Sequence, residues 1–403
     1  MTISVTHAVA ESGTQRRTLW SACAAHILHD GYADLIYVLL PVWQAEFGIG
    51  FGALAVVRAL YIGAMAGFQL PIGRMAGRFD GRLILVLGTA LAALGYALVG
   101  FSGGLAGLCM ALTLSGCGSS TQHPIASAAI SRAFGRDSRT ALGIYNFSGD
   151  LGKAALPASL PLLLSFMPWR QALWVFSAVG VIVAAGLALF APTMARTSSL
   201  PPAVGEPAKA ARGGFNLLFV IGILDTSVRM GLLIFLPFIL KAKGASLTAI
   251  GASLALVFIG GAAGKFVCGW LGARLGVIGT VLATESGTAA CILLILVVPL
   301  ATCQLLLPLL GVMLNGTSSV LYGTVPDLSP PHRTERAFAV FYTGTIGSGA
   351  VAPVVYGVLG DAMGVQGATI ATAATAVLIL PLAIALAPYL TRARAEQNLR
   401  RPP

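Results

Sequence analysis

Long apolar stretches, separated by short polar connectors, recur along most of the chain. A helix needs about 20 predominantly apolar residues to cross the hydrocarbon core of a bilayer. The pattern therefore predicts an all-α membrane protein with twelve transmembrane helices. The predicted spans are 19–41, 52–73, 83–101, 105–131, 140–166, 169–191, 214–240, 247–270, 276–298, 303–325, 336–360 and 365–390.

A change in composition divides these spans into two groups of six. Residues 192–213 are rich in Pro, Ala and Ser, which is typical of a flexible linker. The sequence thus predicts one six-helix bundle over 19–191 and a second over 214–390, flanked by polar cytoplasmic tails at 1–18 and 391–403.

Lysine and arginine residues predict the orientation of the helices. With the N-terminus assigned to the cytoplasm, eighteen of them fall in cytoplasmic loops and tails. Three fall in outer loops, namely Arg170, Lys241 and Lys243. Because cationic residues accumulate on the cytoplasmic side, we expect both termini in the cytoplasm and the chain in the inner (plasma) membrane.

The overall composition excludes most soluble classes of protein. Hydrophobic residues make up 57% of the chain and charged residues 10%, and the mean hydropathy is +0.86, whereas a soluble domain needs far more surface charge. The net charge of +11 lies mostly in short loops, so we expect no nucleic-acid partner. With no Gly-x-x-x-x-Gly-Lys-Ser/Thr loop and no Cys-x-x-Cys pair, we expect neither an enzyme nor a bound cofactor or metal.

The two halves repeat short patterns at a nearly constant offset. Leu39-Leu40-Pro41 is matched by Phe235-Leu236-Pro237, 196 positions later. Gly118-Ser119-Ser120 is matched by Gly316-Thr317-Ser318, 198 positions later. Such duplication is typical of secondary transporters, in which the substrate binds near the midplane between the repeats. We therefore expect a central polar cavity.

These features resemble the major facilitator superfamily. The segment after the second span resembles its signature, Gly-x-x-x-Asp-Arg-x-Gly-Arg-Arg, at Gly73, Arg78 and Arg82, although Gly77 replaces the Asp. The resemblance covers the whole chain. It implies two pseudo-symmetric six-helix bundles and transport by alternating access.

A closer resemblance, to fosmidomycin-resistance-type exporters, lies in the first half. It rests on the segment from His26 to Asp30 in the first span and on the segment from Gly116 to Pro124 in the fourth. A fifth-span pattern, Gly-Asn-x-Gly-x-x-x-Gly-Pro, is only partly kept between Gly149 and Pro157. The resemblance implies proton-driven export of a small anionic antibiotic or metabolite.

Ionisable residues inside the spans are the first candidates for function, since each costs about 2.5–3.5 kcal/mol at a helix centre unless it has a partner or a cavity. The first span carries His26, His29, Asp30 and Asp34, and spacings of three and four predict that they share one face. Imidazoles beside carboxyl groups can hold and pass a proton. We predict that these four residues couple transport to protons; a helix-packing hydrogen-bond cluster is the alternative.

Two further spans carry acidic and basic residues at helical spacing. Asn146, Asp150 and Lys153 share one stripe of the fifth span, and Asp225 and Arg229 are one turn apart on the seventh. We predict that both sets contact the substrate, because an anion could displace the acid from its internal ion pair. A structural ion pair is the alternative.

Arg58 in the second span and Lys265 in the eighth are further predicted substrate contacts. Arg58 could instead pair with Asp34, and either side chain could reach outward to the membrane surface. Glu285, in the middle of the ninth span, is predicted to be structural or a remote proton site. The glycine-rich run 260–264 is predicted to permit close helix packing.

Gln122 and His123 are the last predicted substrate contacts. They precede Pro124 in the fourth span, where the proline ring frees a backbone carbonyl one turn earlier. Either side chain could face that irregularity. The alternative is a helix kink with a satisfied imidazole.

These residues favour a monomeric, proton-coupled antiporter that exports a small anionic compound. Proton-coupled uptake of an organic anion would use the same fold. A multidrug exporter of cations would need an acidic, aromatic cavity, and aromatic residues are only 8% of the chain. A non-transporting sensor has no need of nine charged residues inside its spans.

Overall fold

The computed structural model describes residues 2–194, 209–329 and 334–399. Within these ranges it describes every side chain except those of residues 2–12, 136, 139, 209–212, 334–336, 338–339 and 394–399. In this part of the chain the regular structure is entirely helical. Residues 195–208 of the predicted linker lie outside it.

The helices are longer and less evenly divided than the predicted spans. They are α1 Thr2–Phe47, α2 Phe51–Met75, α3 Gly81–Phe101, α4 Leu105–Ser119, α5 Gln122–Phe134, α6 Ser138–Leu164, α7 Trp169–Phe190, α8 Lys209–Ala242, α9 Leu247–Val297, α10 Leu300–Thr324 and α11 Thr334–Leu399, with short 3₁₀ turns at Gly135–Asp137 and Pro326–Leu328. Helix α1 begins inside the predicted N-terminal tail, and α11 extends into the predicted C-terminal tail.

Glycines interrupt the two longest helices where the sequence predicts a boundary between spans. Gly276 in α9 has φ 69° and Gly364 in α11 has φ 77°. Both values lie in the left-handed region, which glycine enters without steric cost. The chain can therefore change direction at each of these two positions.

The predicted span 105–131 is not one continuous helix. Helix α4 ends at Ser119 and α5 begins at Gln122, so the chain breaks two residues before His123. Pro124 has no N–H, and its ring clashes with the carbonyl group four residues earlier, at Ser120. The irregularity expected from the proline is thus a turn at Ser120 and Thr121, whose backbone angles stay in the right-handed helical region.

The helices form two compact units, one made of Met1–Gly48 with Val57–Leu200 and the other of Ile49–Val56 with Pro201–Pro403. In the first unit α1 has a central place. Ala25 packs with residues of α3, α5 and α7 such as Leu85, and Ala22 packs with residues of α5 and α6 such as Tyr145.

In the second unit, glycines bring α9 against α10. A Cβ added at Gly260 would meet the backbone carbonyl of Pro308, and one at Gly264 would lie 2.6 Å from that of Val312. This confirms the prediction that the run 260–264 serves close packing. Asp361 of α11 caps the N-terminus of α2 by accepting hydrogen bonds from the backbone N–H groups of Phe51 and Gly52, at 2.6 and 2.9 Å.

A carboxylate also ties the end of α1 to the start of α7, beyond the predicted span 19–41. Glu46 lies 2.6 Å from the Arg170 guanidinium and accepts a hydrogen bond from the Trp169 indole. Partial burial alone would raise the pKa of Glu46, but these two hydrogen bonds and the positive charge of Arg170 outweigh it and lower that pKa.

Many large apolar side chains point outward, as a lipid-facing surface requires. Leu70, Ile182, Phe266 and Leu305 are examples. Among the described residues, seven helical segments are long and apolar enough to cross a membrane: Phe51–Met75, Gly81–Phe101, Trp169–Phe190, Gly213–Ala242, Leu247–Val297, Leu300–Thr324 and Val340–Ala393. Helices α1 and α6 are outside this group, and they carry the charged residues described next.

Candidate functional site

Asp30 is the centre of a polar cluster inside the first unit. Its Oδ2 lies 3.1 Å from Nε2 of His26, one turn earlier on α1, and 3.2 Å from Nζ of Lys153 on α6. Lys153 Nζ also lies 3.8 Å from Oδ1 of Asp150, and Nε2 of His123 lies 3.9 Å from Oδ1 of Asp30. We call these five residues the Asp30 cluster. It unites residues of α1, α5 and α6 that the sequence assigned to separate sites.

Two glycines of α6 allow this helix to lie directly against the cluster. A Cβ at Gly149 would be 2.5 Å from Nε2 of His26 and 2.6 Å from Oδ2 of Asp30. A Cβ at Gly152 would collide with the carbonyl oxygen of Ile27. The glycines of the partly kept fifth-span pattern therefore leave room for the Asp30 carboxyl group.

The Asp30 cluster is partly accessible. The exposed fractions of the side chains are 13% for Asp30, 26% for His123 and 34% for Lys153. The pair of Lys153 and Asp30 is therefore not fully enclosed by protein.

His26 bridges Asp30 and a backbone carbonyl, with its Nε2 lying 3.1 Å from Oδ2 of Asp30. Nδ1 of His26 lies 2.7 Å from the carbonyl oxygen of Tyr145, and a carbonyl group only accepts, so Nδ1 carries a hydrogen. The Nε2–Oδ2 contact then holds one proton, either on the ring with Asp30 as carboxylate or on Asp30 with the ring neutral.

The same groups could in principle bind a metal ion. Ligand atoms of His26, Asp30 and His123 all lie within 4.8 Å of one another. However, the Lys153 ammonium lies 3.2 Å from the only carboxylate of that set, and it would repel a metal cation. The cluster suits a proton and an anion better.

His29 does not join the Asp30 cluster, contrary to the prediction that the four polar residues of α1 share a face. Its Nδ1 lies 3.0 Å from Oγ of Ser119 on α4, and its Nε2 lies 3.1 Å from Oγ1 of Thr89 on α3. Thr89 donates its own hydrogen to the carbonyl of Leu85 at 2.8 Å, so it accepts from Nε2. A neutral imidazole satisfies both contacts. His29 points away from the Asp30 cluster because successive helix residues point about 100° apart, and His29 directly precedes Asp30.

Asp34 and Arg58 are buried inside the first unit. Their exposed fractions are 7% and 1%, so Arg58 does not reach outward to the membrane surface. Its guanidinium carbon lies 4.4 Å from the centre of the Tyr37 ring, a cation–π contact. Both charges interact with the hydroxyl group of Tyr61, which is 2.8 Å from Oγ of Ser119.

Two other predicted substrate contacts of the first unit have different environments. Gln122 is fully buried and donates to the hydroxyl group of Tyr145. Since the Tyr145 carbonyl binds His26, Gln122 is placed to position α6 beside the cluster. Asn146 is exposed on α6.

The second unit has its own polar cluster, centred on Asp225. Ser318 of α10 donates to Oδ2 of Asp225 at 2.7 Å, and Nη1 of Arg229 donates to Oγ of Ser318 at 3.1 Å. Arg229 also lies 3.5 Å from Oδ1 of Asn315. Among the described residues, Asp225 and Arg229 are thus bridged by Ser318, where the sequence predicted a direct ion pair. The Ser318 side chain of α10 lies between the two charged groups.

Glu285 belongs to this second cluster, although the sequence analysis left it outside the site. Its carboxyl group lies within hydrogen-bonding reach of the Asp225 carboxyl group and of the Thr317 hydroxyl group. It is 2% exposed. An acidic residue in the middle of a lipid-length helix was the available signal.

The predicted substrate contact Lys265 is exposed on α9.

Comparison with known proteins identifies the family. A profile of the Major Facilitator Superfamily matches residues 22–219 and, separately, residues 217–402. The chain belongs to the Major Facilitator Superfamily. The two matches to one profile agree with the internal repeat, and membership of this superfamily means a multi-span membrane transporter and not an enzyme.

Relatives within the superfamily differ in what their names say they transport. The Fosmidomycin resistance protein of Escherichia coli (strain K12) is 25% identical over 160 residues, which are 39% of this chain and 39% of that protein. Human Monocarboxylate transporter 11 is 29% identical over 316 residues, 75% of this chain and 60% of that protein. This chain therefore spans less than two thirds of the length of either relative.

The superfamily fold also matches solved structures. A crystal structure of a bacterial homologue of the human lysosomal transporter Spinster superposes with a TM-score of 0.76 at 16% identity. The match covers 97% of this chain and 99% of that one. At this level of identity, the similarity concerns the fold alone.

Proposed function

We propose that this superfamily member is a proton-coupled secondary transporter of a small organic anion, with Asp30 as the proton site and Lys153 as the anion site. It would cross the inner membrane twelve times and work by alternating access, with both termini in the cytoplasm. The glycine breaks at 276 and 364 support the count of twelve. The distribution of lysine and arginine supports the orientation.

The contact between Lys153 and Asp30, at 3.2 Å, is the observation that carries this proposal. A carboxylate or phosphonate group of a substrate would compete with the Asp30 carboxylate for the ammonium. A proton on Asp30 removes that competitor. Proton binding and anion binding would then favour each other by the same factor, as linkage requires.

Efflux is the first direction to test, because part of the chain is similar to the Fosmidomycin resistance protein. Proton-coupled uptake is the second candidate, and the Lys153–Asp30 contact favours it. If the proton helps the anion to bind, both would cross together, and an inward proton gradient would drive entry. The similarity to a monocarboxylate transporter supports a carboxylate as substrate.

The proposal can be tested with purified protein in liposomes under an imposed pH gradient. Labelled fosmidomycin and labelled lactate serve as the first probes, after a thermal-stability screen of organic anions, since a bound ligand stabilises by mass action. Asp30→Asn should lose the response of anion flux to the gradient. It should keep exchange of labelled for unlabelled anion, which needs no net proton movement.

Asp137→Asn is a matched control, because it removes an exposed carboxylate of the same unit at the end of a 3₁₀ turn. It should leave the gradient response intact. A normal gradient response in Asp30→Asn would refute the proton-site assignment. In the wild type, proton and anion flux in opposite directions would indicate export of the anion in exchange for protons. Flux in the same direction would indicate uptake of the anion together with protons.

A further inference from the structure

Two carboxyl groups meet in the second unit in a way that requires a proton. The carboxyl groups of Asp225 on α8 and Glu285 on α9 lie within hydrogen-bonding reach of each other, and the two residues are 4% and 2% exposed. An ionised carboxylate has only acceptor atoms. A hydrogen bond between two carboxyl groups therefore exists only when one of them carries a proton.

The charge balance of this cluster points the same way. Arg229 contributes one positive charge, relayed to Asp225 through the hydroxyl group of Ser318. If both acids were ionised, a net negative charge would be buried, which is costly at this depth. One shared proton makes the cluster of Asp225, Glu285 and Arg229 neutral.

The other groups that face the pair do not alter this balance. From α10, Thr317 bonds to Glu285, and Tyr322 interacts with Asp225 and Arg229. From α11, Thr345 lies 2.8 Å from the Tyr322 hydroxyl. Within the described residues, the charged groups acting on the pair are thus its own two acids and Arg229.

The internal repeat relates this cluster to side chains of a different chemical type in the first unit. His29, Thr89 and Ser119 correspond to Asp225, Glu285 and Thr317 at offsets of 196, 196 and 198. In the first unit the three side chains form a neutral hydrogen-bond chain. In the second unit two of the three positions are acids. A site that serves packing in one half can therefore bind a proton in the other.

We propose that Asp225 and Glu285 form a second proton-binding site, in which the two carboxyl groups share a single proton. On release, the O–H bond of the protonated acid breaks, the proton passes to water, and both groups become carboxylates facing Arg229. The role of this proton in transport rests on the proposed function above, whereas its presence does not.

Infrared spectroscopy of the purified protein tests the shared proton directly, because a protonated carboxyl group has a carbonyl stretch that an ionised one lacks. We expect the wild type to show such a band near neutral pH and to lose it on titration to alkaline pH. Glu285→Gln, which keeps a side-chain amide in the hydrogen bond, should abolish the band. Asp225→Asn should shift or abolish it, because the partner of Glu285 has changed.

Asp361→Asn is the matched control, since Asp361 accepts from two backbone N–H groups as a carboxylate, and its band pattern should equal that of the wild type. A wild type without the band, or a band unchanged in whichever of the two variants folds, would overturn the proposal. In liposomes, Glu285→Gln should lower the number of protons moved per anion. If Asp30→Asn kept its gradient response, the proposed function would fail, and the infrared result would still decide the shared proton.

Discussion

His26 and His29 lie on neighbouring turns of α1 and have opposite roles. His26 meets a carboxyl group through Nε2 and a backbone carbonyl through Nδ1. His29 lies between two hydroxyl groups, which a neutral ring satisfies completely. At the scale of single residues, the partner of each ring nitrogen is the reason why the proposed proton site includes the neighbourhood of His26 and leaves out His29.

We predict that His29→Leu leaves the pH dependence of transport unchanged and lowers stability. The change removes two hydrogen bonds between helices, each worth about 0.6 kcal/mol on average in a membrane protein, so a loss of roughly 1 kcal/mol is expected. Thermal unfolding in detergent and the pH profile of anion exchange measure the two effects. His29→Gln, which keeps a donor and an acceptor, should recover part of the stability. A displaced pH profile in either variant would make His29 a proton site after all.

At the scale of helices, small residues decide which polar groups can meet. Helix α6 reaches the Asp30 cluster because Gly149 and Gly152 leave no side chain between it and α1. Helix α9 lies against α10 through Gly260 and Gly264 in the same way. In a membrane, where lipid is as apolar as leucine, such close backbone contact is a main source of helix association.

We predict that Gly152→Ala separates α1 from α6, whereas Gly143→Ala does not. The added methyl group at 152 would collide with the backbone carbonyl of Ile27, which has no side-chain freedom to move away, but a Cβ at 143 on the same helix meets nothing within 4 Å. Overpacking of this kind costs about 1–3 kcal/mol. Thermal unfolding should show the loss for Gly152→Ala only, accompanied by reduced anion transport. Equal stability of the two variants would contradict the role of Gly152.

At the scale of the whole molecule, the two units carry polar clusters of different chemistry. The first unit places an accessible ammonium group beside Asp30, and the second buries two acids beside Arg229. The superfamily profile matches each half of the chain. The proposed division of labour, an anion and a proton in one unit and a second proton in the other, rests on a few side chains that differ between the units.

We predict that Arg78 faces the cytoplasm and Lys241 the outside. Both side chains are exposed, so a cysteine at either position is open to reagents. In a background with the six native cysteines replaced by serine or alanine, a membrane-impermeant maleimide added to intact cells should label Lys241→Cys only. Permeabilised cells should show labelling of Arg78→Cys as well, which controls for reactivity. Labelling of Arg78→Cys in intact cells would reverse the proposed orientation.

The glycine breaks in α9 and α11 show what the sequence predicted well. The boundaries expected between 247–270 and 276–298, and between 336–360 and 365–390, lie at Gly276 and Gly364. Bilayer thickness sets the length of each apolar stretch, and only glycine adopts those φ values with ease, so both signals are local. Within the span predicted over 105–131, the turn at Ser120 and Thr121 lies just before Pro124, where the sequence predicted an irregularity.

The sequence by itself determined the membrane class, the repeat and the set of ionisable residues, because hydropathy and residue spacing are properties of one segment at a time. Only the tertiary structure decided which of those residues meet. Lys153 contacts Asp30 on another helix more closely than Asp150 on its own, Ser318 stands between Asp225 and Arg229, and Glu285 joins Asp225. The physical reason is that contacts between helices depend on how each one is rotated about its axis and on where glycines permit close approach, and neither is fixed by the spacing of charges along one helix.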